Sequence, residues 1–348
     1  MRIATLLAGA ALLVAAPALA APTPEQVAAA ALRAAPVWDG HNDVPEQLRD
    51  RRKDVIADFD FRDTTGTADP AKGNGAMQTD LTRLRKGHVG AQFWSVYVSA
   101  SLPEPQAVQA TLEQIDVTKR LIARYPQDMV LCTTAADVEK AMKAGKIASL
   151  MGMEGGGSIG GSLGVLRQMY ALGARYMTLT HFKNLAWADS ATDAPAHDGL
   201  TDFGRDVVRE MQRIGMLVDL SHVSEATMLD ALEVAKAPVI FSHSGALAVS
   251  GHPRNVPDSV LDKIKANGGI VMANFYPGYV SAALRDWNAA RAGEQARQKA
   301  LHPDRPDAVT AALAQWEGAR PKPVATLADV ADHIDHIVRR AGDRKSVV

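Results

Sequence analysis

The sequence predicts an α/β fold, a parallel TIM-like (β/α)8 barrel, on three observations. Short apolar runs alternate with helix-patterned segments along most of the chain. The runs are nearly continuous in apolar residues, as in strands buried on both faces. Four of them, VWDGHND (37–43), IASLMGMEG (147–155), MLVDLSH (216–222) and PVIFSH (238–243), carry metal-ligand side chains at or near their ends. Parallel strands delivering such groups to one rim are what a barrel provides.

The first element is not part of that pattern. MRIATLLAGAALLVAAPALA (1–20) combines Arg2, a short small-residue apolar stretch and an Ala18-Leu19-Ala20 cleavage pattern. It predicts a secretory signal peptide rather than a membrane span, hence an exported chain, periplasmic or secreted, with no transmembrane span when mature. The one cysteine, Cys132, excludes an intrachain disulfide and lies far from the signal, against lipid attachment there; after Met129–Leu131 it reads as a small buried residue. With 38 Lys+Arg against 39 Asp+Glu, and Arg2 lost with the signal, the mature charge is about −2. That excludes a general electrostatic case for nucleic acid or an anionic membrane surface. About 328 residues remain, enough for one large barrel or two smaller domains.

The strands and helices follow in order. Strand one is 37–43, and the polar, Gly- and Asp-rich 61–90 reads as a long excursion. AQFWSVYV (91–98) is strand two, followed by a helix with Val108, Leu112, Ile115 and Ile122 on one face. Strand three (147–153) leads to a helix around 163–172, and RYMTLTH (175–181) is strand four. Residues 201–214 read as a helix capped by Thr201 or Asp202. Strand five is 216–222, and Ser224 caps a helix to about Val234. Strand six (238–243) precedes a loop through Pro253 and Pro257 and a helix to about Ala266, and GGIVMANFY (268–276) is strand seven. A helical insertion spans 281–318, and TLADVADHIDHIVRR (326–340) is a final helix with Leu327, Val330, Ile334 and Ile337 at helical spacing. Seven strands are legible; an eighth, needed to close the barrel, is not.

Several of these ends can carry chemistry. His41 and Asp43, two apart at a strand end, point the same way and can reach one cation. Alone, an H-x-D triplet says little, and Glu154 alone also fits a helix-start partner. Gly155–Gly157 and Gly160–Gly161 lack the following G-K-[ST] of a nucleotide loop and suit close backbone approach instead. His181, His222 and His243 close strands four, five and six; three histidines at equivalent ends are harder to read as ordinary core residues than one. Imidazoles with carboxylates suit zinc, and a carboxylate can bridge two ions. Arg254, in HPRN, could clamp a carboxylate or form a surface ion pair. His333 and His336 read as solvent-facing helix residues.

DGHNDVP (39–45), MEGG (153–156), LTHFKNLAWADS (179–190), GLTDFG (199–204), DLSHVS (219–224), FSHSGA (241–246), HPRN (252–255) and GIVMANFY (269–276), in this order, resemble the renal, or membrane, dipeptidase family over about 37–342. The resemblance implies a zinc-dependent dipeptidase. His41 and Asp43 match ligands of a first zinc, Glu154 the bridging carboxylate, and His222 and His243 ligands of a second zinc. His181 matches the histidine that contacts substrate and stabilises the tetrahedral intermediate, Arg254 the arginine that binds the substrate carboxylate, and Tyr276 a pocket residue. The implied reaction is amide hydrolysis by a hydroxide bridging two zinc ions, on dipeptides that can end in a D-residue. Dipeptides are the partners implied; no nucleic acid is, and a homodimer stays open.

The chain departs from the family at its end. The family's last strand carries an S-D-F-D-G-like motif whose aspartate assists proton transfer, whereas here HIDHIVRRAG (333–342) is followed by DRKSVV. The expectation is an incomplete barrel over 21–342, lacking the eighth strand and C-terminal helices, with 343–348 a non-native tail. DRKSVV is what GATCGGAAGAGCGTCGTG encodes, which resembles a sequencing adapter. An inactive chain is then expected, because two open sheet edges would be exposed. Two other readings stay open. One is a different binuclear amidohydrolase, though those carry H-x-H after strand one and a bridging modified lysine. The other is a noncatalytic metal- or peptide-binding barrel.

Overall fold

Nine β-strands, parallel wherever they pair, make one sheet in the computed structural model, which describes residues 21–342 and the backbone of Ser346–Val347. The predicted signal peptide and most of the 343–348 tail lie outside the described residues. Two units are distinguished, divided between Ala35 and Pro36. In the first, α1 (Pro24–Ala34) starts from a Thr23 capping box closed by Gln26. The second holds the sheet.

Its strands are β1 (Val37–Asn42), β2 (Val89–Ser95), β3 (Met129–Leu131), β4 (Ile147–Glu154), β5 (Ala174–Thr178), β6 (Leu217–Asp219), β7 (Ile240–Ser244), β8 (Ile270–Ala273) and β9 (Ser346–Val347). They pair in the order β1-β2-β4-β5-β6-β7-β8-β9, the neighbour sequence of a (β/α)8 barrel, with β3 off the path. β2 takes one edge of β4 along 148–152, so β3 and β5 share the other, at 147–149 and 151–154. The expected absence of an eighth strand is corrected: β9 pairs parallel to β8, Val271 with Ser346 and Met272 with Val347. The unpaired groups on the outer edge of β8 are what a returning chain can bond. β9 has no pairing to β1 among the described residues, so the ring is nearly closed. Beside that seam a Cβ on Gly40 would lie 2.2 Å from Ser242 O and 2.4 Å from Met272 Sδ. Only glycine lets β1 lie against β7 and β8 there.

Helices pack outside these strands: α2 (Val44–Arg52), α3 (Leu81–Lys86), α4 (Glu104–Arg124), α5 (Ala135–Lys143), α6 (Leu163–Ala171), α7 (Asp202–Ile214), α8 (Glu225–Val234), α9 (Leu247–Ser250) and α10 (Asp258–Asn267). After β8 come α11 (Pro277–Val280), α12 (Ala282–Leu301), α13 (Pro306–Gly318) and α14 (Leu327–Ala341). The predicted excursion 61–90 contains α3 and the start of β2. Asp80 pins it by accepting from the backbone of Thr64 (3.1 Å) and Arg83 (2.8 Å). The predicted insertion is two helices, α12 and α13, joined by 302–305, with the rings of Trp287 and Trp316 tilted against each other 5.6 Å apart. Cys132 is buried, as expected.

Two predicted helix faces shift. On α4, Leu112 is exposed, while Thr111 and Thr118 are buried and donate back to Ala107 O and Gln114 O. On α14, Leu327 is exposed and His333, expected in solvent, is buried beside Val330 and Ile337. Its Nδ1 accepts from Ala246 N (2.8 Å) and its Nε2–H donates to Val280 O (3.1 Å), tying α14 to the loop after β7 and to α11. His336 is half-buried and pairs with Asp258 on α10 at 2.7 Å.

Burial first, and the neighbouring His336, push His333 below its ordinary pKa, although Val280 O, Asp329 and Asp332 act the other way. The unfolded chain therefore binds the proton more readily. This contribution to stability is complete above the unfolded value of about 6.5 and is lost as pH falls below it. Urea midpoints measured from pH 7.5 to 5 should fall, and His333→Gln, which can still accept and donate but cannot be protonated, should show a shallower fall. Equal slopes in the two proteins would refute the assignment.

Candidate metal centre

All five predicted metal ligands meet at the C-terminal ends of the barrel strands, around Glu154. β4 is buried along its whole length and carries Glu154 as its last residue. His41 and His243 lie within β1 and β7, and Asp43 caps α2. His181 and His222, expected to close their strands, lie three residues beyond β5 and β6. His222 adopts φ +71°, a left-handed conformation costly for a non-glycine residue.

Glu154 offers its two oxygens in two directions. Oε2 is 3.3 Å from His41 Nε2; Oε1 is 3.0 Å from His222 Nε2, 3.4 Å from His243 Nε2 and 3.5 Å from His181 Nε2. Asp43 Oδ1 is 3.1 Å from His41 Nε2, and the Nε2 atoms of His222 and His243 are 2.9 Å apart. Two sets compact enough for a cation emerge, His41–Glu154–His243 and Glu154–His181–His222, sharing Glu154. A tetrahedron with bonds of about 2.0–2.1 Å has edges near 3.3 Å, so these separations fit a transition-metal ligand shell. The grouping differs from the predicted one: Asp43 is in neither set, His181 joins the second, and His243 is placed with His41, whose rings stack at 3.9 Å.

The electrostatics fit ligation at His222 and His243, while His41 would have to give up a proton to bind a cation. Burial pushes His243 down to about 3, helped by the charges of His41 and Arg254; burial and Arg254 also hold His222 well below its ordinary value. Both rings are therefore neutral, the form that offers a lone pair to a metal. Burial is the largest single influence on Glu154 and on His41 and opposes the charge of each, but the histidines around Glu154 together hold it a carboxylate, and Glu154, Tyr176 and Asp43 together raise His41 well above the ordinary imidazole range. The outer nitrogens are held in part: His41 Nδ1 is 2.9 Å from the Tyr176 hydroxyl and His243 Nδ1 is 2.8 Å from Ser242 Oγ. Ser95 Oγ donates to Glu154 Oε2 at 3.1 Å. Such contacts orient metal-binding imidazoles.

The centre floors a cleft of about 1180 Å³ walled by Glu46, Tyr97, Phe182, Tyr276 and Tyr279. Tyr276 reaches it, largely exposed and edge-to-face with Tyr279 at 4.8 Å. Arg254 does not line it. The guanidinium is buried, donates through Nη2 to His243 O and sits 5.4 Å from the Tyr279 ring. Its Nε and Nη1 have no partner among the described residues, an arrangement that an incoming anion would complete.

Sequence reasoning missed Glu46, Tyr97, Phe182 and Tyr279 on the walls, and Tyr176, Asp219 and Ser242 beneath. Only Asp219, a charge inside an apolar strand run, carried a signal. Burial, then the carboxylates of Asp43, Asp50 and Glu154, raise Glu46 to about 7, so this carboxyl retains a proton near neutrality.

A parallel barrel with a carboxylate-centred histidine cluster at its C-terminal rim defines a metal-binding barrel of the hydrolase type. The profile of the membrane dipeptidase family, peptidase family M19, matches residues 25–347, and the chain belongs to that family, a metallopeptidase of the membrane-dipeptidase type. Solved structures share the fold. The probable dipeptidase PvdM from Pseudomonas aeruginosa is 21% identical with a TM-score of 0.75, over 93% of this chain and 86% of that one. A metallo peptidase from Rhodobacter sphaeroides, liganded with a phosphinate mimic of the dipeptide L-Ala-D-Ala, is 23% identical with a TM-score of 0.68, over 89% and 84%. Dipeptidase AC, a metallo peptidase of family M19, is 24% identical with a TM-score of 0.67, over 89% and 82%. Among the described residues no helix is long and apolar enough to cross a membrane.

Proposed function

We propose that this chain hydrolyses dipeptides, including those with a C-terminal D-residue, using two zinc ions held by His41, Asp43, Glu154, His222 and His243. The observation carrying this is the pair of compact sets sharing Glu154 at the floor of an open cleft, with Asp43 added on the strength of its contact with His41 and His181 kept for the substrate. Bound there, the ions would acidify a water and polarise the scissile carbonyl. His181 Nε2, aimed at the same point, supplies a donor where oxyanion charge develops, and a fixed donor needs no reorganisation as it does so. Arg254, buried beside Tyr279 behind the cleft wall, has two donors without a partner among the described residues that would suit the substrate's carboxylate. Glu46, holding a proton near pH 7, is placed on the cleft wall to exchange protons during turnover. The D-residue reading draws support from the L-Ala-D-Ala mimic bound by the Rhodobacter protein.

The test is metal analysis of the purified chain with hydrolysis of L-Ala-D-Ala, L-Ala-L-Ala and a tripeptide. Zinc near two per chain and turnover confined to dipeptides are expected. Bound metal without turnover would support the noncatalytic barrel instead. Export is proposed from residues 1–20; N-terminal sequencing of secreted or periplasmic protein should begin at Ala21, and a retained Met1 would refute it.

A further inference from the structure

Asp219 makes no contact with the cleft, yet it is fully buried and accepts four hydrogen bonds. Oδ1 takes the backbone N–H groups of Ser242 (2.8 Å) and Ser221 (3.1 Å). Oδ2 takes the hydroxyls of Thr178 (2.5 Å) and Ser242 (2.6 Å). Thr178 is its register partner on β5, and Ser242 stands on β7, so the carboxylate ties three adjacent strands below the metal centre.

We infer that Asp219 is a positioning residue that sets the tautomer of His243 through Ser242. Oδ1 is taken up by two backbone N–H groups and Oδ2 accepts from two hydroxyls, so the Ser242 hydroxyl spends its single proton on Oδ2. What Ser242 Oγ then presents to His243 Nδ1, 2.8 Å away, is a lone pair. Nδ1 must carry the proton, and Nε2 faces the centre bare. The far side agrees. His222 Nδ1 is buried with no partner among the described residues, whereas its Nε2 lies 3.0 Å from Glu154 Oε1 and 2.9 Å from His243 Nε2. A proton on His222 Nε2 satisfies both contacts only if His243 Nε2 accepts. His243 is thus preset as a ligand by the fold, and His222 is not.

Asp219→Asn reverses the polarity. Two backbone N–H groups hold Oδ1, so the amide nitrogen must take the place of Oδ2 and donate to Thr178 and Ser242. Ser242 is then free to donate to His243 Nδ1, which places the proton on Nε2, in the way of a metal.

This inference rests on His243 being a metal ligand, and the experiment separates the two. In metal-free, ¹⁵N-histidine-labelled full chain, two-bond ¹H–¹⁵N spectra distinguish Nδ1–H from Nε2–H. The expectation is Nδ1–H at His243 in the wild type and in Thr178→Ala, which keeps Ser242, and Nε2–H in Asp219→Asn. Zinc affinity by chelator competition should fall about 10–100-fold in Asp219→Asn, the range for lost outer-shell partners. Ser242→Ala should lose the Nδ1–H preference and Ser242→Thr should retain it, which decides the matter even if Asp219→Asn does not fold. An unchanged His243 tautomer in Asp219→Asn or in Ser242→Ala would overturn the inference. A wild type that binds no zinc would remove the metal reading, while its tautomer spectra would still decide the Asp219 relay.

Discussion

Glu154→Gln is expected to lower kcat/KM for dipeptides by about 10³-fold or more and to leave the chain without its full metal complement. Glu154 is the residue common to both ligand sets, and its two oxygens face different histidines. The amide keeps the size but removes the charge that holds cations in a buried site and turns one of the two oxygens into a donor. Metal-assisted charge stabilisation contributes several kcal/mol, and about 1.4 kcal/mol is a factor of ten in rate. The folded state should survive, because without the carboxylate His41 can be neutral rather than an unpaired buried cation. Far-ultraviolet circular dichroism, metal content and kcat/KM on one preparation check the point. Activity within tenfold of wild type at unchanged metal content would remove Glu154 from the centre.

Gly152→Ala should destabilise the barrel and loosen the metal centre together. A Cβ there would lie 2.0–2.3 Å from three ring atoms of Tyr176, a fully buried side chain whose hydroxyl meets His41. The ring cannot retreat without giving up that contact. Overpacking a rigid core costs about 1–3 kcal/mol and sometimes more, which in a chain of this length lowers the melting temperature by about 2–5 °C. Tyr176→Leu in the Gly152→Ala background should recover part of the stability but not the hold on His41, so its metal affinity should stay low. A melting temperature within a degree of wild type for Gly152→Ala would show that the ring has room the structure does not reveal.

Much of the fold was legible because buried parallel strands must be apolar along their length. IASLMGME is β4, and VWDGHN is β1 with both of its ligand-type neighbours in place. The candidate ligands stood out for a related reason, since a charged or imidazole group closing such a run has no place in a dry core unless it has a partner, but their roles came from the family resemblance. Strand lengths were less legible. β5 and β6 end three residues before His181 and His222, since an apolar run does not distinguish the last paired residue from a buried loop. β3 went unread because three residues suffice once the edge of β4 is there to be shared. The eighth strand escaped for the same reason: β9 is two residues long and exists by virtue of the edge that β8 offers.

Local sequence thus determined which residue types reach the rim and in what order, from patterns within a few residues of each other. Only the tertiary structure decided which nitrogen faces which oxygen. That His333 is a buried clasp, that Arg254 sits out of the cleft near Tyr279 and that Asp219 stands below His243 all depend on residues tens of positions apart. A histidine's tautomer and a carboxylate's partners follow from contacts across strands, and no periodicity along one strand encodes them.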